Sequence, residues 1–277
     1  MPWLHLWPGT KRQKQHRCQA LTGSGFRLFH WYLNVIGVMT YWPPQNSIKD
    51  RIAQSIQASS AAGRPAAVMV VANHPTLVDT TAIMASYPYL IVVAKTVVFR
   101  FPLLRLLFRF CGHTSASSDL GGEAALADQL IARLKNGESV LLFPEATRSP
   151  DEGLRPFRRG PFEIANRAGV PVQPIAIRSG PGLLKGGLAW YAVPRIKTKY
   201  ELRGLDPLFP YMPQTRAEGD PKTAEKTRTP EEEPSRAKKQ SNLPESSVNS
   251  ASEQPTSQAL SGRQLAQLVF DQISSAL

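Results

Sequence analysis

Between residues 66 and 143 the sequence alternates short apolar runs with longer helical patterns, and this alternation leaves few architectures open. The runs AAVMVVA (66–72), YLIVVA (89–94) and SVLLF (139–143) are short and without internal charge, and the first two are rich in valine. They read as strands buried on both faces. Helical patterns near 79–87, 102–110 and 121–136 separate them. Strands joined by crossover helices predict an α/β fold with a mainly parallel sheet flanked by helices. Further strands are expected at 172–177, 189–193 and 196–204.

The flanks differ from this body. The N-terminus carries apolar Trp3, Leu4, Leu6 and Trp7, basic Lys11, Arg12, Lys14 and Arg17, and then an apolar stretch from Phe26 to Trp42 interrupted by Arg27, His30 and Asn34. That stretch is short for a membrane span and carries no cleavage signature, so residues 1–47 are expected to form a helical segment at a membrane interface. A helix packed on the protein's own core is the alternative. Residues 212–257 are dominated by Pro, Ser, Glu, Lys and Thr and read as a disordered linker. Residues 258–277 regain helical periodicity through Leu260, Leu265, Leu268, Val269 and Ile273 and are expected to pack on the domain of 48–211.

Charge narrows the partners. The net charge is +12, yet 212–257 holds 7 basic and 8 acidic residues, so 26 basic and 13 acidic residues lie elsewhere. The folded body is therefore basic and attracts anionic lipid, phosphorylated cosubstrates or nucleic acid. A nucleic-acid-binding protein is a competing reading, but no reader motif or interleaved aromatic pattern accompanies the charge. Cys18 and Cys111 make neither metal spacing nor a disulfide framework and suggest a reducing compartment.

Two loops carry chemistry. Asn73-His74-Pro75-Thr76-Leu77-Val78-Asp79 follows the first strand, and Phe143-Pro144-Glu145-Ala146-Thr147-Arg148-Ser149 follows the strand at 139–143. In a parallel sheet both loops leave the carboxyl edge, where ligands bind in open α/β folds. An imidazole is the commonest general base, and a carboxylate five residues on can fix its tautomer. No G-x-S-x-G serine elbow occurs, so a His74–Asp79 pair would activate a substrate hydroxyl, an amine or water. Asp79 as a simple cap of the following helix is the structural alternative.

The second loop resembles Phe-Pro-Glu-Gly-Thr-Arg-Ser of the glycerolipid (PlsC-type, HX4D) acyltransferase family, and Asn-His-x4-Asp resembles that family's catalytic motif. Pro156-Phe157-Arg158-Arg159-Gly160-Pro161-Phe162 and Val170-Pro171-Val172-Gln173-Pro174-Ile175-Ala176-Ile177 are similar to its connecting segment and fourth block. The resemblance covers roughly 66–205. It implies a metal-independent O-acyltransferase with no bound cofactor, in which His74 and Asp79 are catalytic and acyl-CoA or acyl carrier protein supplies the acyl group. The acceptor would be a glycerolipid or lysophospholipid hydroxyl. Glu145, Arg148, Thr147, Asn73 and Lys95 would bind substrate, on the cytoplasmic face of a membrane.

The sequence departs from the family twice. Ala146 replaces glycine, which matters if the backbone there needs positive φ. The segment Gly112–Asp119 lacks the arginine the family places there, so an acceptor without phosphate, as in aryl-polyene-like or amino-lipid biosynthesis, stays open. His113 is a candidate to hydrogen-bond such an acceptor. A thioesterase acting through the same His74 is a further alternative. Arg105 and Arg109 share a face of the helix at 102–110, which suits either a membrane surface or a core helix with solvated arginines.

Overall fold

The computed structural model describes residues 8–42, 47–94, 102–115, 122–150, 152–180, 196–210 and 259–277. Along the chain run α1 (Lys11–Val35), β1 (Met39–Trp42), α2 (Ser47–Ala61), β2 (Met69–Ala72), α3 (Asp79–Ser86), β3 (Leu90–Ala94) and α4 (Pro102–Phe110). There follow β4 (Thr114–Ser115), α5 (Gly122–Lys135), β5 (Ser139–Leu142), α6 (Gly160–Ala168), β6 (Val172–Ser179), β7 (Thr198–Gly204) and α7 (Gly262–Ala276).

The strands form one sheet in the order β1-β7-β6-β2-β5-β3-β4. The pairs β6–β2, β2–β5, β5–β3 and β3–β4 are all parallel. β7 runs antiparallel to β6, and β1 is parallel to β7. The expected mainly parallel sheet is therefore present, with a reversed pair at one edge. The strand expected at 189–193 and the linker at 212–257 lie outside the described residues.

Alternation along β2 explains why its sequence is apolar throughout. Met69 and Val71 join Leu130, Leu134, Phe162, Leu265, Val269 and Ile273 in a core under α5, α6 and α7. Val70 and Ala72 join Ile48, Ile52, Ile83 and Ile177 under α2 and α3 on the other face. With helices on both faces, neither side of the central strands meets water. Burying each such leucine or isoleucine contributes roughly 1.5–3 kcal/mol. The C-terminal helix packs on α6 and β6, as its periodicity predicts.

The N-terminus differs from expectation. The helix begins at Lys11, where Thr10 and Gln13 form a capping box, and ends at Val35 before Gly37 at φ 79°. Residues 39–42 then pair with β7. The apolar stretch 26–42 is thus the end of a helix and a strand, because Met39–Trp42 finds an open sheet edge to hydrogen-bond. α1 is also no separate appendage: it packs along α3 and belongs to the same compact unit as the α/β body. At its buried face the thiols of Cys18 and Cys111 lie 3.1 Å apart, both free.

Candidate active site

β2 delivers Asn73 and His74 to the carboxyl edge of the sheet, and its neighbour β5 delivers the loop 143–149 to the same edge. Hydrogen bonds join the two loops. The His74 N–H donates to Glu145 Oε1 and to Ser149 Oγ, both at 3.1 Å, and the Ser149 N–H donates to the His74 carbonyl at 2.8 Å. Ser149 Oγ closes the ring by donating to Glu145 Oε1 at 2.6 Å. The His74 ring stacks on Phe143, with centroids 4.2 Å apart and planes 22° from parallel. The two strand-end loops thus share one rim of the sheet, as expected from the sequence.

Asp79 is fully buried and its carboxylate accepts from four donors. These are His74 Nδ1 at 2.8 Å, the Thr76 N–H at 2.7 Å, the Thr76 hydroxyl at 2.5 Å and the Tyr200 hydroxyl at 2.8 Å. Because a carboxylate only accepts, the proton of the neutral imidazole sits on Nδ1 and the lone pair on Nε2. Nε2 has no hydrogen-bond partner among the described residues, and 22% of the side chain is open to solvent. The lone pair of this nitrogen is free to accept a proton. Asp79 does not act as a helix cap: α3 has Val78 at its N-cap position without a side-chain cap bond.

The remaining candidates divide. Thr147 is exposed and Arg148 half-buried on the second loop. Lys95 lies outside the described residues. Asn73 is not placed to bind substrate. Its buried amide donates to the Ile177 carbonyl at 2.9 Å and accepts from the Ile177 N–H at 2.7 Å, locking the end of β2 to β6. Glu145 is likewise a scaffold residue. It is buried, with Oε1 held by His74 and Ser149 and Oε2 by the Arg155 N–H at 3.0 Å. No ion pair joins it to Arg148 among the described salt bridges. His113 is buried as well. It accepts the Val92 N–H at Nδ1, and burial, aided by the Arg133 charge, pushes its pKa down to about 4. It is a neutral structural residue.

Sequence reasoning missed Thr76, Ser149, Arg155 and Tyr200. Thr76 and Ser149 lie inside the motifs and carry hydroxyls beside a carboxylate. Tyr200 has a subtler signal: in TKYELRG every second residue faces inward, so a phenol among apolar positions needs a buried partner.

An imidazole–carboxylate pair without its own nucleophile, at the carboxyl edge of a parallel sheet, can take a proton from a bound hydroxyl, amine or water. The sequence model of the Acyltransferase family matches residues 51–178, the stretch that holds both loops. Among its relatives is 1-acyl-sn-glycerol-3-phosphate acyltransferase BAT2, chloroplastic, of Brassica napus, 32% identical over 39% of this chain and 31% of that protein. Lyso-ornithine lipid O-acyltransferase of Pseudomonas aeruginosa is 34% identical over 39% of this chain and 41% of that protein. The crystal structure of the 1-acyl-sn-glycerophosphate acyltransferase PlsC from Thermotoga maritima superposes over 72% of this chain and 87% of that one, at 21% identity and a TM-score of 0.43. The matches span about a third of the length of the first plant and algal relatives.

Proposed function

We propose that this protein transfers a fatty acyl group from a thioester, acyl-CoA or acyl carrier protein, to a hydroxyl of a lysolipid at a membrane surface. The observation that carries the reading is the Nε2 of His74, oriented through Nδ1 by a carboxylate with four donors and left open to solvent at the rim shared with the loop 143–149. In the reaction Nε2 takes the acceptor's hydroxyl proton as its oxygen attacks the thioester carbonyl. The tetrahedral intermediate collapses, the carbon–sulfur bond breaks, and the imidazolium returns the proton to the thiolate. Asp79 stays ionised and stabilises the imidazolium. Arg148 supplies a guanidinium for an anionic headgroup.

This acceptor class is supported by two relatives whose names give a lysophosphatidate-type and a lyso-ornithine substrate. A glycerolipid or amino-lipid hydroxyl fits both. Membrane contact is supported by α1, where Leu28, Trp31, Tyr32 and Val35 follow helical spacing and are 52–63% exposed. Such a stripe suits the headgroup zone. Among the described residues no helix is long and apolar enough to cross a membrane.

Labelled acyl-CoA and acyl carrier protein, each with and without lysophosphatidate and lyso-ornithine lipid, test the reading. The expected result is acceptor-dependent diacyl product and a loss of about 10²–10⁴-fold in His74→Ala. Free fatty acid released at the same rate without any acceptor would identify a thioesterase and sink the proposal.

A further inference from the structure

A cavity lies away from the dyad. It lies between the amino-terminal end of α1, the α4 helix and the loop joining α5 to β5, with a volume of about 1020 Å³. Glu138, on its wall, precedes β5, whereas the loop 143–149 leaves that strand's other end. Four residues of extended chain, about 13 Å, therefore separate this wall from the catalytic rim.

Among the described residues its walls carry six cations, Lys11, Arg12, Lys14, Arg105, Arg109 and Arg133, against one carboxylate, Glu138. That carboxylate is already engaged: Gln15 Nε2 donates to it at 2.8 Å and Arg133 pairs with it at 3.4 Å. Arg12 donates to the Gly137 carbonyl at 3.3 Å, which fixes its guanidinium at the cavity edge. Arg105 and Arg109 stand one turn apart on α4 with exposed side chains. The first turn of the 25-residue α1 contributes its amide dipole on the same side. The field reaches inward as well, since Arg133 helps hold His113 neutral.

Guanidinium and ammonium groups gathered around one hollow raise a positive potential there, which favours an anion. A concave site of this volume suits a small molecule rather than the convex surface of an acidic protein. Forked guanidiniums a turn apart suit phosphate oxygens. We infer that the α1–α4–α5 cavity binds a phosphate-bearing anion, at a site separate from the His74 rim. The phosphate can belong to a soluble nucleotide or to a lipid headgroup. The assignment stands apart from the acyl-transfer reading, because it rests on none of the dyad's residues.

Calorimetric titration with 3′,5′-ADP and with pyrophosphate at low salt, beside flotation on phosphatidic acid and on phosphatidylcholine vesicles, tests it. Arg105→Gln/Arg109→Gln removes two exposed charges without touching the core, and thermal melts verify its fold. Binding of the soluble anions that weakens roughly tenfold for each guanidinium removed supports a nucleotide phosphate. Flotation on phosphatidic acid alone, lost in the double variant without soluble-anion binding, supports a headgroup phosphate. His74→Ala binds the same anion unchanged in either case. Failure to bind any of these probes, or binding that is equal in the double variant, overturns the proposal.

Discussion

The Tyr200 hydroxyl donates to Asp79 Oδ1 at 2.8 Å from a strand 121 residues further along the chain. β7 thereby reaches the acid that orients the base. The bond holds the carboxylate's second oxygen, so that Oδ2 stays aimed at His74 Nδ1. Tyr200→Phe keeps the ring and removes only this donor. The expected outcome is kcat lowered about tenfold, with KM for donor and acceptor unchanged, since hydrogen bonds to charged groups are worth about 1.5–3 kcal/mol. Steady-state kinetics check it. A variant with wild-type kcat, or one altered in KM alone, would show that Tyr200 is only a core phenol.

The helix carrying the exposed apolar stripe is seated on α3 by one glycine. A Cβ at Gly23 would lie 2.6 Å from the Pro88 Cβ and 3.1 Å from the Met84 carbonyl, whereas Gly25 has open space around it. Both sit inside α1, where alanine is otherwise preferred by about 1 kcal/mol. Gly25→Ala is therefore expected to raise the melting temperature, and Gly23→Ala to destabilise by about 1–3 kcal/mol through overpacking. Because Asp79 opens α3, the second variant also lowers activity more than its stability loss explains. Equal melts for the two variants would count against the close packing of α1 on α3.

Ala146 sits at φ 57°, the left-handed region that glycine occupies freely. The motif it belongs to resembles one with glycine here, and the structure shows why that difference has a consequence. Ala146→Gly relieves steric strain and is expected to stabilise the fold by about 1 kcal/mol, measured by urea denaturation. Ala146 itself makes an ordinary turn bond, its N–H to the Phe143 carbonyl at 3.0 Å, which glycine keeps. A destabilised glycine variant would place the strain elsewhere.

What was legible in the sequence was what periodicity and local loop chemistry encode. The runs 66–72, 89–94 and 139–143 contain β2, β3 and β5, and their parallel pairing brought His74 and Glu145 to one rim. Two kinds of feature were hidden. β1 and β4 are short edge strands whose existence depends on a partner, so no local pattern marks them. The intramolecular partners of Asn73 and Glu145 are not legible, because a polar residue in a motif looks the same whether it faces a ligand or a neighbouring backbone. Only the bonds to Ile177 and Arg155 distinguish these. The alternation of TKYELRG marks Tyr200 as an inward-facing phenol, but its partner, 121 residues away, is not legible locally.

Two buried histidines tie stability to pH. His30 donates from Nε2 to Thr81 Oγ1 at 3.0 Å on the interface of α1 and α3, and burial lowers its pKa to about 4. His113 is lowered to about 4 by burial and by Arg133. In the unfolded chain both titrate near 6.5. Between pH 6.5 and 4 the unfolded state therefore binds more protons, and stability falls as the pH is lowered through that window. Above pH 6.5 neither residue contributes a slope, and below about 4 the loss levels off. Each histidine is expected to cost up to about 3 kcal/mol across the window. Urea denaturation at pH 7.5, 5.5 and 4.5 reads the slope. His30→Gln, which keeps an amide donor for Thr81 and cannot titrate, is expected to remove about half of it. A slope identical in that variant would show that His30 does not share in the pH dependence.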